Sequence, residues 1–328
     1  MITLGIALRK SVVAQKRPVI TEHDFFLILK KLMESSEYEG EPIRLTKRIA
    51  TRDFYRKRAR ELLKARYLRP DEDFYPPNER EGSHCRVFRV SDIPDGSAED
   101  ITALVDPFCY ISHLSAMQRH GLTNRSPAEL HITTPATELW RKLRDELAVK
   151  NYGSLPAPVD KAGLPSLSPQ ESTQVKLEHI KFPSRLRGRP IVGHTTKYPV
   201  ETRPIRGSFA RVAAVGDVFM QMLDSPDACG GMTHVLEVWA NEARPYIEDI
   251  LKAAGREAQS GIVKVRAGYL LETLYSVKDP RIADLQKFAQ RGSSRKLDPA
   301  QPYLSTYSEK WMLSLNAESE YLPPNPKS

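Results

Sequence analysis

The sequence predicts an α+β protein of two domains, divided between residues 95 and 96. Three observations support this class. The length of 328 residues is well above the ~150 residues of a typical single domain. Stretches with helical spacing of apolar residues are interspersed with short alternating stretches such as CRVFRV (85–90) and LHITTP (130–135). The turn-rich segment DIPDGSAED (92–100) then separates a smaller N-terminal domain, 1–95, from a larger mixed α/β domain, 96–328.

The N-terminal domain begins with helical patterns. In TEHDFFLILKKLMESS (21–36), Thr21 is in the position of an N-cap, because its hydroxyl can accept from an unpaired backbone amide. The apolar stripe of this predicted helix is Phe25, Leu29, Leu32 and Met33. A short basic stretch, 45–50, is expected to form a second, supporting helix.

The excess positive charge of the chain is concentrated in residues 44–69. This segment contains eleven Lys or Arg residues and two acids, whereas the other 302 residues contain 38 bases and 39 acids. Clustered cations neutralise phosphates and release condensed counterions, which is the main generic source of affinity for nucleic acids. Surface helices are often rich in Lys and Arg, but they usually interleave acids, and this segment barely does. The segment therefore predicts a nucleic-acid interface.

The same segment has the pattern of a helix with two faces. Thr51 is a candidate N-cap, and the apolar positions expected to face a core are Phe54, Ala59, Leu62 and Leu63. A turn-rich stretch and the alternating residues 85–90 follow. The order helix, short helix, basic helix and hairpin is that of a winged helix-turn-helix, in which the basic helix enters the major groove of double-stranded DNA and the hairpin, or wing, flanks it.

Positions on this pattern give the predicted DNA contacts. The residues are Lys47, Arg48, Thr51, Arg52, Tyr55, Arg56, Lys57, Arg60, Lys64, Arg80 and Arg86. Lys47, Arg48, Lys57 and Arg60 are expected to anchor phosphates. Arg52 and Arg56 are placed to reach guanine edges, and Tyr55 is a groove candidate by position alone.

Composition excludes several classes of protein. No apolar run approaches the ~20 residues that span a bilayer, and the N-terminus has its bases after its apolar residues, the reverse of a secretory signal. We therefore expect a cytoplasmic protein with no membrane partner. Cys85, Cys109 and Cys229 are far apart and form no CxxC pair, so a disulfide framework or a zinc site is not expected.

The larger domain shows mixed patterns. Predicted helices cover 107–121, 136–147, 212–231, 233–255 and 262–277, predicted extended segments cover 130–135, 175–183, 190–200 and 305–316, and an exposed loop covers 151–170. Two basic loops in this domain are a possible second surface for a polyanion. They contribute Arg185, Arg187, Arg189, Arg295 and Lys296. Simple solubility explains these loops equally well.

Catalytic motifs are weak. SHLSAMQRH contains Ser112, His113, Ser115 and His120, but there is no GxSxG sequence, and His113 and His120 are too far apart on a helix to share one metal ion. Helix packing and capping explain these residues better. No phosphate-binding loop is present, and Glu178, Glu201 and Asp217 are too scattered to form a nuclease motif. We expect no enzymatic activity, no cofactor and no metal.

Four stretches together resemble the AbiEi family of antitoxins, from type IV toxin–antitoxin and phage-abortive-infection systems. They are YISHLSAMQRHGLT (110–123), GDVFMQMLDSPDACGGMTHVLEVW (216–239), KVRAGYLLE (264–272) and GSSRKLDPAQPYLSTYSEKWMLSLN (292–316). The resemblance covers roughly residues 100–316, and a preceding basic winged helix is also typical of that family.

The resemblance implies a protein with two roles. The N-terminal domain would bind inverted repeats at its own promoter as a repressor. The C-terminal domain would counteract a co-encoded nucleotidyltransferase-type toxin without a lasting complex. The sequence leaves two alternatives open: a nucleic-acid-processing enzyme that a winged helix delivers to its substrate, and a transcription factor whose C-terminal domain senses a small molecule.

Overall fold

The computed structural model describes residues 1–45, 49–75, 85–152, 174–292, 295–317 and 319–322. Helices and strands are mixed along these residues, which confirms the predicted α+β class. None of the described helices combines the length and the apolar character that crossing a membrane requires.

The elements are as follows. The helices are α1 (Leu4–Ala14), α2 (Glu22–Ser35), α3 (Arg52–Lys64), α4 (Ala98–Val105), α5 (His113–Arg119), α6 (Thr137–Tyr152), α7 (Val215–Asp224), α8 (Met232–Glu242), α9 (Ile247–Ala254), α10 (Gly261–Tyr275) and α11 (Pro280–Gln286). The strands are β1 (Ile2–Thr3), β2 (Val19–Thr21), β3 (Glu37–Tyr38), β4 (Glu41–Arg44), β5 (Leu68–Pro70), β6 (Val87–Val90), β7 (Tyr110–Ile111), β8 (Leu130–Pro135), β9 (Arg185–Leu186), β10 (Arg189–Thr196), β11 (Thr202–Pro204), β12 (Arg211–Ala213), β13 (Tyr307–Ser308) and β14 (Leu313–Ser314).

The chain divides into two compact units. The first comprises residues 1–109, 136–191 and 207–210, and the second comprises residues 110–135, 192–206 and 211–328. The boundary that the sequence suggests, between residues 95 and 96, falls inside the first unit. The reason is packing: α4 lies against β2, and Val175 is buried in the core that the N-terminal helices form.

The first unit contains two small sheets. Strands β2, β6 and β5 form an antiparallel sheet in that order, in which Ile20 pairs with Phe88 and Leu68 pairs with Val90. Strands β1, β4 and β3 form the other sheet. The core of this unit includes buried side chains of α1, α2, α3 and β6. Burial of these apolar faces fixes where α3 lies.

Helix α2 forms as its sequence predicts. Thr21 and Asp24 make a reciprocal capping box, in which the Thr21 hydroxyl accepts from the Asp24 amide and the Asp24 carboxylate accepts from the Thr21 amide. The helix ends at Ser36, which adopts a left-handed conformation with φ of 57°. The predicted apolar stripe is buried, with Phe25 and Leu29 fully inaccessible.

The second unit is built around strands and a group of helices. Strands β11, β12, β7, β8 and β10 are neighbours in that order, and β12 pairs in parallel with β7. The start of β10 belongs to the first unit, where it forms a hairpin with β9. Helices α7, α9 and α10 pack on one another, and the largest buried side chains of this unit are Trp239, Trp311 and Phe219.

Several sequence-based expectations about secondary structure are wrong. The predicted helix 107–121 begins only at His113, after strand β7, and the predicted helix 212–231 covers the end of β12, α7 and a 3-10 turn at Pro226–Cys229. Residues 175–183 are not a strand; Val175 and Leu177 are buried, but the backbone joins no ladder. The segment 233–255 is not one helix, because a 3-10 turn at Arg244–Tyr246, which contains proline, separates α8 from α9. The described residues of 45–50, namely 45, 49 and 50, are not helical. The remaining three lie outside the described part, and the β3–β4 hairpin occupies the chain just before them.

Candidate nucleic-acid interface

Helix α3 is held by its N-cap and by its buried face. The Thr51 hydroxyl accepts a hydrogen bond from the Phe54 backbone amide, which confirms the predicted start of the helix. The buried residues of the helix are Phe54, Tyr55, Ala59 and Leu62, and they belong to the core of the first unit. The remaining surface of the helix is therefore turned away from that core.

Tyr55 lies in the core, so the prediction that it contacts the DNA groove is wrong. Its side chain is 2% exposed, and its ring makes edge contacts with Phe25 and Phe26 at centroid distances of 5.4 and 5.9 Å. Burial also raises the pKa of its phenol. The reason is helical geometry, which places Tyr55 on the same face as Ala59 and Leu62.

The outward surface of α3 carries five cationic side chains. We call them the α3 cationic face: Lys57, Arg60 and Lys64 are exposed, and Arg52 and Arg56 are half-buried. Spacings of three and four residues bring neighbouring members of this set together on the helix surface. Among the described residues, no ion pair involves any of the five.

The two acids of the helix do not neutralise this face. Glu61 is engaged by Arg58, whose Nη1 lies 2.7 Å from the Glu61 carboxylate. The Arg58 guanidinium also lies over the Phe54 ring, 5.0 Å from its centroid. Asp53 is in the first turn, where a carboxylate interacts favourably with the positive end of the helix dipole. The α3 cationic face therefore presents net positive charge to a ligand.

The predicted wing contributes less uncompensated positive charge than α3 does. The Arg86 guanidinium forms an ion pair with Glu178 at 2.7 Å, and the Arg86 amide donates to the Tyr75 hydroxyl at 2.6 Å. The charge of Arg86 is thus already compensated within the first unit. Lys47, Arg48 and Arg80, which the sequence predicts as further DNA contacts, lie outside the described residues.

The contacts of Arg187 contradict the sequence-based suggestion that it belongs to a second polyanion-binding surface. Its guanidinium pairs with both oxygens of Asp71, at 3.1 and 2.5 Å, and also contacts Asp73 and, at 3.1 Å, Asp95. Asp71 is 1% exposed. Burial lowers the pKa of Arg187, but the neighbouring carboxylates outweigh it and raise that pKa overall. Arg89 also pairs with Asp95, at 3.5 Å, so the cluster holds three carboxylates and two guanidinium groups. The site is therefore locally acidic and would repel a phosphate.

The other members of that predicted surface also have local partners. Arg189 forms an ion pair with Glu99 at 3.1 Å. Arg185 is exposed and donates to the Gly188 carbonyl at 2.6 Å. Lys296 donates to the carbonyls of Pro299 and Gln301, and Arg295 donates to the Gln290 amide oxygen at 3.4 Å. Each of these four cations therefore has a described hydrogen-bond or ion-pair partner, and for Arg189 that partner is a carboxylate.

The serine and histidine residues around α5 do not form a nucleophilic triad. Ser112 Oγ lies 2.9 Å from His113 Nδ1 and accepts from the Thr133 hydroxyl at 2.8 Å. Ser112 is fully buried, so a substrate cannot reach it, and no carboxylate is a described hydrogen-bond partner of the His113 ring. His120 instead lies 2.7 Å from the Ala213 carbonyl. Among the described residues, no group of three His, Cys, Asp or Glu side chains has the arrangement of a metal site.

The three cysteines differ in their burial. Cys109 and Cys229 are buried, Cys85 is half-buried, and all three are free thiols. Burial raises the pKa of Cys85 to about 12. A thiol in that state is a weak nucleophile at neutral pH.

Comparisons with known proteins include a distant structural likeness. No protein-family model matches the chain, and no curated protein sequence matches it significantly. Among solved structures, the chain is similar to the Rv2827c protein from Mycobacterium tuberculosis, with a TM-score of 0.42 and 11% sequence identity over 97% of this chain and 91% of that one.

Proposed function

We propose that the protein is a DNA-binding transcriptional autoregulator and antitoxin, and that the α3 cationic face is its DNA-contacting surface. The observation that carries the proposal is that these five side chains have no described ion-pair partner. They project from one helix, and no described carboxylate neutralises them, whereas the cations of the other basic loops are engaged locally. Unpaired cations at the spacing of helix turns are what phosphate anchoring and groove entry require.

The order of elements in the first unit supports a winged helix. The sequence of α1, β2, α2, α3, β5 and β6, with β2 paired to β6 and β6 to β5, is the order in which a winged helix arranges three helices and three strands. The β3–β4 hairpin lies between α2 and α3, where the predicted short helix would have been. In this arrangement α3 is the recognition helix, with Lys57 and Arg60 on phosphates and Arg52 and Arg56 towards base edges.

The first experiment measures binding to the upstream DNA of the protein's own gene across a salt series, beside a shuffled duplex of equal length. We expect selective binding and a steep decrease of affinity with salt. The double variant Lys57→Ala/Arg60→Ala should weaken both duplexes and reduce the salt slope by about 2, since each lost phosphate contact removes about 1. The control Lys278→Ala/Lys287→Ala removes the same charge from exposed positions of the second unit and should leave binding unchanged.

Two outcomes would contradict the assignment of the α3 cationic face as the DNA-contacting surface. One is equal loss of affinity in the two double variants, because the effect would then come from net charge alone. The other is an unchanged salt slope in the α3 variant. Weak and equal binding of wild-type protein to both duplexes would instead indicate another polyanion, and RNA would be the next ligand to test.

The antitoxin role rests on the resemblance of residues 100–316 to AbiEi antitoxins. It is tested by expressing the co-encoded nucleotidyltransferase-type toxin with and without this protein. We expect wild-type protein to restore growth without co-purifying with the toxin. The Lys57→Ala/Arg60→Ala variant, supplied from an unrelated promoter, should also restore growth, because neutralisation is assigned to residues 100–316, which do not include α3. A lack of rescue by wild-type protein rejects the antitoxin role and leaves the DNA role standing.

A further inference from the structure

The second unit contains a cavity of about 130 Å³ that the proposed DNA role does not use. We call it the second-unit cavity. Its wall is formed by the start of α5, the end of β10, α7 and the residue Gln259, which precedes α10. An apolar cavity of about 150 Å³ in another protein holds one benzene molecule. The volume here therefore fits a single six-membered ring.

One wall is made of imidazoles. His113 and His194 both line the cavity and stack on each other, with centroids 3.8 Å apart and planes inclined by 28°. His131 supports them from behind, since its Nδ1 lies 3.1 Å from His194 Nε2. Burial and the neighbouring histidines lower the pKa of His113 to about 3 and that of His194 to about 4. At neutral pH this wall is an uncharged aromatic surface with ring nitrogens available for hydrogen bonds.

Two buried polar atoms in the lining are not satisfied. Asp217 is 3% exposed and Gln259 is 6% exposed. Neither Asp217 Oδ2 nor Gln259 Nε2 has a hydrogen bond of normal length and angle within the described part of the chain. The other oxygen of Asp217 is held by Arg256. The Gln259 side chain lies against the Tyr198 hydroxyl and the Glu201 backbone amide lies against the Asp217 carboxylate, and these contacts oppose the rise that burial causes in the pKa of Tyr198 and of Asp217. Neither contact completes a hydrogen bond of normal geometry to Gln259 Nε2 or Asp217 Oδ2. Buried polar groups are normally paired, so one acceptor and one donor here are available to a ligand.

The charge of the lining selects against anions. No Lys or Arg is among the residues that line the cavity in the described structure, whereas Asp217 and Asp224 both belong to the lining. Asp224 is exposed at the rim. A phosphate group would meet these carboxylates, and the Arg256 guanidinium beside them is already paired with Asp217. The ligand is therefore not an anion, and it must be planar and able both to donate to a carboxylate and to accept from an amide.

We propose that the second-unit cavity binds a single-ring nitrogen heterocycle of the pyrimidine-base type. Its ring packs beside the His113 and His194 imidazoles. A ring or amino N–H donates to Asp217 Oδ2, and an adjacent carbonyl or ring nitrogen accepts from Gln259 Nε2. This site is independent of the DNA-binding surface and does not require the antitoxin role.

The test uses the purified full chain with cytosine, uracil, benzene and cytidine monophosphate as probes, by ligand-observed NMR and calorimetry. We expect cytosine or uracil to bind. Benzene, which lacks the hydrogen-bonding edge, and the monophosphate, which brings a charge, should each bind at least about tenfold more weakly. If neither cytosine nor uracil binds at millimolar concentration, or if benzene binds as well as they do, the proposal is wrong.

Gln259→Leu is the decisive variant. It removes the unpaired donor at nearly constant size, so it should weaken binding about tenfold while leaving thermal stability unchanged or higher. The matched control Gln118→Leu alters an exposed glutamine of the same unit and should bind as wild type does. Wild-type affinity in the Gln259 variant would overturn the proposal. Val200→Phe, which fills the cavity from a half-buried lining position, gives an independent check and should abolish binding.

Discussion

The substitution Arg187→Met tests whether Arg187 stabilises a structural ion cluster or belongs to a polyanion-binding surface. The Arg187 side chain is only 17% exposed and pairs with both oxygens of Asp71, which is 1% exposed. The substitution keeps the apolar stem but leaves a buried carboxylate without its cation. Breaking a buried ion pair from one side costs about 3–5 kcal/mol. For a unit of this size, the melting temperature should fall by on the order of 10 °C.

The assay compares thermal and urea unfolding of Arg187→Met with Arg185→Met. Arg185 lies in the same turn, but it is exposed and its described hydrogen bond is to the nearby Gly188 carbonyl, so its loss should cost about 0.5 kcal/mol or less. The double variant Arg187→Met/Asp71→Asn should recover part of the lost stability, because the uncompensated charge is gone. Nucleic-acid affinity of the folded single variants should match wild type.

Two results would refute this reasoning. Equal stabilities of the Arg187 and Arg185 variants would mean that the carboxylates around Arg187 do not depend on it. A large loss of nucleic-acid affinity in Arg187→Met, with stability unchanged, would restore this residue to a polyanion surface.

Three further predictions concern single sites. Tyr55→Phe should leave DNA affinity unchanged, whereas Tyr55→Ala should cost about 3–5 kcal/mol of stability in urea unfolding; a tenfold drop in affinity for the phenylalanine variant would indicate a groove contact. The folded pKa values of His113 and His194 lie near 3 and 4, below the value of about 6.5 for an unfolded histidine. Below about pH 6.5 the unfolded chain therefore binds more protons than the folded chain, so stability should fall as the pH is lowered from about 6.5 to 4. His113→Asn, which tolerates the left-handed φ of 50° there, should flatten that dependence in a pH series of melting curves, and an unchanged slope would contradict the assignment. Gly268→Ala should destabilise the second unit, since its Cβ would overlap the Trp311 ring, and calorimetry showing a wild-type melting temperature would contradict that packing.

Local signals in the sequence were sufficient for α2 and α3, whereas α1 and α4 of the first unit were not predicted. Thr21 and Asp24 specify the start of α2, and Thr51 specifies the start of α3, because capping depends on residues three apart. Tyr55 shows the limit of that approach. A tyrosine next to Phe54 on an amphipathic helix fits either face by its chemistry, and only the position of Phe25 and Phe26 on another helix decides that it is buried.

Non-local pairing explains the expectations that failed. The alternation in residues 175–183 is real, and Val175 is buried, but a strand also needs a free edge to pair with, which the sequence does not reveal. The Val175 carbonyl instead accepts from the Tyr152 hydroxyl and lies 2.6 Å from His23 Nδ1. The second-unit cavity was missed for the same reason, since its histidines come from separate elements and form no local motif.

Local charge density alone does not identify a polyanion site. The segment SRLRGR and helix α3 are both rich in arginine, and they differ in which carboxylates the fold brings to them. Asp71, Asp73 and Asp95 are far from Arg187 in the sequence and converge on it in the structure, so that cluster is acidic overall. Helix α3 keeps its one paired acid, Glu61, with Arg58 and leaves Lys57 and Arg60 without a described partner. A phosphate therefore gains attraction at α3 without displacing an existing ion pair, whereas at Arg187 it would have to break three. This difference favours α3 over the Arg187 loop, which also belongs to the first unit, as the nucleic-acid surface of the described structure.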